Sequence, residues 1–139
     1  MKHFMTSTLL VASLLSANAF AHEGHCEDTD LGAMMAKMKK IEKSLKKAVR
    51  SEDYEDIAEY AAELKDYSAK ASQEQPLKYK DRDAEFAELK EKYLQAYKDM
   101  EKALDHLIAA KTEAELESAM DALKKAKKQG HKGFKKDCD

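Results

Sequence analysis

Apolar side chains recur in this chain at alternating steps of three and four, in four separate runs, and this spacing limits the possible folds more than any other feature. A period near 3.6 gathers such residues on one side of a helix, whereas a half-buried strand needs strict alternation. In the first run Leu31, Met34, Met35, Met38, Ile41, Leu45, Ala48 and Val49 share one arc, with Lys and Glu opposite, and Asp28, Thr29 or Asp30 can serve as N-cap. The second extends from about Asp53 to Ser72 through Tyr54, Ile57, Ala61, Leu64, Ser68 and Ala71, and Ser51-Glu52-Asp53 supplies a cap and an acidic first turn. Ser72-Gln73-Glu74-Gln75-Pro76, centred on the only proline, interrupts the pattern. The third run is Phe86, Leu89, Tyr93, Tyr97, Met100, Leu104, and Leu107 or Ile108. Thr112-Glu113-Ala114-Glu115 reads as a capping box that opens the fourth, which continues through Leu116, Met120, Leu123, Lys127, His131, Phe134 and Cys138.

Composition points the same way. Of 139 residues 37% are charged, only four are Gly and one is Pro, which disfavours a β-barrel or a nucleotide-binding fold built on glycine loops. The expected architecture is all-α: an antiparallel, up-down-up-down four-helix bundle, with the first and third connections short. That topology sets the start of the first helix beside the end of the fourth. With 25 Lys and Arg against 27 Asp and Glu, no overall positive field exists to hold a nucleic acid.

The first residues read differently. Lys2 and His3 precede an uncharged stretch from Phe4 to Phe20, and Ala19-Phe20-Ala21 ends it with small residues at the two positions read by a signal peptidase. Residues 1–21 are therefore expected to be a secretory signal peptide and 22–139 the mature bundle, exported to the periplasm and free of the membrane after cleavage. Losing Lys2 leaves a net charge of −3, which suggests a basic or neutral docking surface on a partner. In an oxidising compartment Cys26 and Cys138 are expected to form a disulfide, which the bundle topology permits because it brings the chain ends together. The competing reading is metal ligation by Cys26 with His22 and His25.

Counted inward from the joined end, Met35 lies nine residues from Cys26 and His131 seven from Cys138, so at about 1.5 Å per residue the two sit at similar depth. A thioether opposite an imidazole suits the two axial positions of haem iron, and Gly130 and Gly133 would leave room for a flat macrocycle. Methionine at helical spacing is also ordinary core filler, and a histidine near a helix C-terminus ordinarily complements the helix dipole. Met34 and Met35 flank the centre of the stripe equally. His106 beside Asp105 reads as a surface residue. No acid–base pair, activated nucleophile or phosphate-binding loop marks an enzyme.

Over nearly all of residues 22–139 the sequence resembles the cytochrome b-562 family. The resemblance rests on Asp30-Leu31, followed by Met35, Met38 and Leu45, and more specifically on His131-Lys132-Gly133-Phe134-Lys135, which fits the family's His-x-x-aromatic-basic ending. Members with a Cys before the first helix and another beyond the terminal His are closest in form, as Cys26 and Cys138 are here. The resemblance implies a soluble periplasmic electron-transfer protein, a monomer rather than an enzyme. It would hold one non-covalent haem b, with Met35 and His131 as axial ligands and Met34 as the alternative to Met35. Lys135 and Lys127 would approach the propionates, while Met38, Phe134, Tyr93 and Tyr97 would line the pocket. Glu42 departs from the pattern, standing where an apolar core residue is expected. The partners implied are periplasmic redox proteins. The second functional expectation is a haem-free bundle that captures copper through its Met-rich first helix and His22, His25 and Cys26.

Overall fold

The computed structural model describes residues 29–135, which form helices α1 (Asp30–Arg50), α2 (Tyr54–Ala71), α3 (Asp83–Ala109) and α4 (Glu113–Phe134), with one 3-10 turn at Leu77–Tyr79. They pack as an antiparallel four-helix bundle in which α2 lies against α1, α3 against α2 and α4 against α3. The expected signal peptide (1–21), His22, His25, Cys26 and Cys138 lie outside the described residues. Among the described residues no helix is long and apolar enough to cross a membrane.

Local chemistry sets the helix ends. Thr29 caps α1, its hydroxyl accepting from the Gly32 N–H at 3.0 Å, and Asp53 caps α2 by accepting from the Asp56 N–H at 3.1 Å. Between them α1 ends in a Schellman arrangement: the Asp53 N–H donates to the Ala48 carbonyl at 3.0 Å and the Glu52 N–H to that of Val49 at 3.2 Å. Glu52 occupies the left-handed position of that motif, with φ 52°, where glycine is the usual residue. At α4 both halves of the capping box form. Thr112 Oγ1 accepts from the Glu115 N–H, and the Glu115 carboxylate accepts from the Thr112 N–H at 3.1 Å.

Leu45, Ile57, Leu104, Leu107 and Leu116 are the largest fully buried side chains. All five lie in the half closed by the two short connections. Three sequence expectations are adjusted. Leu107 rather than Ile108 enters the core, Ile108 being exposed; Tyr54 is exposed at the start of α2. On α4 the buried line runs Leu116, Ala119, Leu123, Ala126, so Met120, Lys127 and His131 flank the core instead of pointing into it. Small residues at 119 and 126 let α4 approach α3, rotating the larger side chains toward α1.

Candidate functional site: the seam between α1 and α4

α1 and α4 close the ring with a looser backbone approach than α1 with α2, α2 with α3 or α3 with α4. What joins them is a side-chain pair: Lys127 Nζ on α4 donates to Glu42 Oε1 on α1 at 2.6 Å, and Lys46, one turn along α1, reaches the same oxygen at 2.7 Å. Glu42, the residue out of place as a core position, is thus a half-buried carboxylate with two ammonium partners. Burial works against its charge, but Lys127 and Lys46 outweigh it and hold the carboxyl below its ordinary value.

This ion pair identifies the faces that α1 and α4 turn toward each other. His131 follows Lys127 by four residues and Met35 precedes Glu42 by seven, so each lies on the face that carries the bridge. Helical rise sets them about 6 Å and about 10 Å beyond the pair, toward the chain ends. Met34 shares its side of α1 with Met38, Ile41 and Leu45, which are buried. Periodicity alone treats Met34 and Met35 as equivalent; relative to the bridge, Met35 lies on the face of α1 that carries Glu42 and Met34 on the side of the buried Met38, Ile41 and Leu45. Both are partly buried against the core.

His131 is exposed at the rim. Partial desolvation, then the charges of Lys127 and Lys135, lower its pKa from the usual value, with Glu42 opposing. The lowering favours the neutral imidazole, the form that donates a lone pair to a metal. Lys135 is the C-cap of α4, its N–H donating to the His131 carbonyl at 3.1 Å.

The remaining expected pocket residues are gathered elsewhere. Phe134 points to the α3 side of α4, with ring centroids 5.0 Å from Tyr93 and 6.0 Å from Tyr79. Phe86 packs edge-on to Tyr93 at 5.5 Å, and Tyr97 packs edge-on to the same Tyr93 ring at 5.0 Å, completing a cluster of five rings. The Tyr93 hydroxyl lies 3.0 Å from the Ala71 carbonyl, 2.9 Å from that of Glu74 and 3.2 Å from Tyr97 Oη. Burial drives the Tyr93 phenol far above its ordinary pKa. Tyr79 Oη and Lys78 Nζ both donate to the Gly133 carbonyl at 3.2 Å, tying the α2–α3 connection to the end of α4. Tyr93, Tyr97 and Phe134 therefore form one structural unit, apart from the seam, where Lys127 pairs with Glu42 and where Met35 and His131 lie on the same helix faces; Met38 is buried in the core. Gly130 faces α3, where an added Cβ would sit 3.6 Å from Ala96, whereas Gly133 borders open space.

Sequence reasoning did not single out Tyr79 as part of this end. Its signal was an aromatic residue three positions after the helix-breaking Pro76. Among the described residues, surface concavities lie beside Thr29, Leu31, Gln75 and Leu77 (about 380 Å³) and between α2 and α3 beside Ser68 and Tyr97 (about 240 Å³).

The fold and the seam define a four-helix bundle in which the thioether of Met35 and the imidazole of His131 lie on the faces of α1 and α4 that the Glu42–Lys127 bridge joins. Among the described residues no three His, Cys, Asp or Glu side chains converge to hold a metal ion. No family model matches the chain, and no curated protein or solved structure matches it either.

Proposed function

We propose that this chain is an exported electron-transfer protein of the cytochrome b-562 kind, holding one haem b non-covalently at the α1–α4 seam through Met35 and His131. The Glu42–Lys127 pair supports the reading, because the faces of α1 and α4 that it joins also carry the Met35 thioether and the His131 imidazole. Two protein donors suit an ion whose other ligands come with a macrocycle. When bound, the haem supplies a one-electron ferric–ferrous couple. His131 offers a strong σ-donor nitrogen, and Met35 a soft neutral sulfur that favours the lower iron charge. Lys135, exposed at the rim, is free to approach a propionate, while Lys127 would have to share its charge with Glu42. The aromatic cluster clamps the end of α4 and so fixes the backbone that carries His131. With Met35 and His131 both committed to holding the group, the proposed role is electron transfer rather than catalysis on a substrate. Periplasmic location and a Cys26–Cys138 disulfide belong to the same proposal and rest on the sequence.

The test is addition of hemin to the purified protein. The expected result is uptake of one equivalent with a low-spin, six-coordinate spectrum, converted to a high-spin or five-coordinate form in Met35→Ala and in His131→Ala. Absence of uptake, or a low-spin spectrum unchanged in both variants, refutes the proposal. Met34→Ala is expected to leave the spectrum unaltered.

A further inference from the structure

The net charge of the whole sequence is only −2, but the helices divide that charge very unevenly. α1 carries seven Lys and Arg against two carboxylates, and α4 from Ala122 to Phe134 carries five Lys and no carboxylate. α2 has five carboxylates against two Lys, and α3 seven against four. The first half of α4 carries Glu113, Glu115, Glu117 and Asp121, so the basic surface is α1 together with the chain-end half of α4, and α2 and α3, neighbours in the ring, form an acidic side. Helical spacing from Glu42 and Lys127 places Lys39, Lys43 and Lys46 along the α1 bank of the seam and Lys124, Lys128 and Lys135 along the α4 bank. All six are exposed. The opposite edge of α1 is independently marked, since Lys37 Nζ lies over the Tyr67 ring of α2.

We infer that the α1–α4 face is a docking surface for the acidic surface of a partner protein. Exposed cations on both banks attract carboxylates over about a Debye length and orient an approaching molecule toward the seam, even though the net charge is negative. A bilayer fits less well: among the described residues the large exposed hydrophobics are Tyr54 and Ile108, on α2 and α3, so the basic face has no large exposed hydrophobic side chain to insert between lipids. The sign is opposite to the one net charge suggests, and the partner's contact surface is acidic rather than basic. The electron-transfer role of this face rests on the function proposed above, but its charge does not, so the test is made without haem.

The experiment is an NMR titration of the ¹⁵N-labelled mature protein with poly-L-glutamate of about 20 residues as the acidic-protein probe. Amide shifts are expected on α1 and the second half of α4, with affinity falling at least about tenfold between about 20 and 200 mM salt. Lys39→Glu with Lys128→Glu is expected to weaken binding at least about tenfold, and Lys90→Glu with Lys92→Glu on α3 to change it less than about twofold. All four positions are exposed, and circular dichroism checks that both pairs fold. Equal losses from the two pairs, or shifts spread over α2 and α3, overturn the inference. So does tighter binding to phosphatidylglycerol vesicles than to polyglutamate, which would indicate a membrane. Concentration-dependent shifts on both faces without probe would overturn it in favour of a second copy as the occupant. Haem uptake is scored separately, so either proposal can fail alone.

Discussion

Where the two short connections close the bundle, Leu45, Ile57, Leu104, Leu107 and Leu116 are buried to the last few per cent, whereas at the chain-end half Leu31, Met34 and Met35 of α1 keep part of their surface in water. The first half is complete with aliphatic side chains alone. The second is filled on the α3–α4 side by five aromatic rings and is left wider on the α1 side. Fully buried branched side chains interdigitate and leave little room for anything else. A seam edged by flexible methionines can take in an apolar group without displacing a packed core. The contrast assigns most of the stability to one half and leaves the other as the place for the proposed ligand.

The largest expected effect tests that division. Leu104→Ala should cost about 3 kcal/mol of stability in urea unfolding, because the cavity forms where nothing can collapse into it. Met35→Ala in haem-free protein should cost about 1 kcal/mol, in line with its partial exposure. Similar losses at the two positions would erase the distinction. Within the chain-end half, Tyr93→Phe is expected to remove about 1 to 2 kcal/mol by leaving buried carbonyls of the α2–α3 connection short of a donor. A neutral result would mean that ring packing alone holds that end.

Glu42→Gln should destabilise by about 1 kcal/mol, since the pair is only partly screened. Its pH dependence has a definite sign. The folded carboxyl titrates below its ordinary value of 4.5, so its contribution is complete above that value and is lost as pH falls through the lower folded one. Glu42→Gln should therefore flatten the acid limb of the stability profile, and an unchanged limb would show that the bridge does not form in solution. At the loop end, Glu52→Gly should stabilise by about 0.5 to 1 kcal/mol by relieving the left-handed residue in the α1 cap. Gly133→Ala, bordering open space near the end of α4, should add a few tenths of a kcal/mol to the haem-free protein. If it weakens haem uptake at the same time, the glycine serves the macrocycle rather than the helix.

Much of this architecture could be read from local sequence. The three-and-four spacing marked all four helices, the Thr112–Glu115 box formed as expected, and Asp53 capped α2, because a helix and its caps are decided by residues within a turn of one another. The chain-end half was less legible. The α4 stripe passed through Met120, Lys127 and His131 on paper, but Ala119, Ala126 and Gly130 let the helix settle against α3 and turned those side chains to one side. The family resemblance could mark Glu42 as a departure, but its two partners lie one turn away on α1 and 85 residues away on α4. Tyr79 gave no periodic signal because it belongs to a 3-10 turn.

The sequence by itself determined four amphipathic helices, their ends, their antiparallel order and a thioether and an imidazole at one end of the bundle. The tertiary structure alone decided how each helix is rotated about its own axis. That rotation is set by side chains meeting across the bundle rather than along one helix. It separates Met35 from Met34, sends Phe134 to the aromatic cluster and His131 to the seam, and collects the lysines of two distant segments on one face.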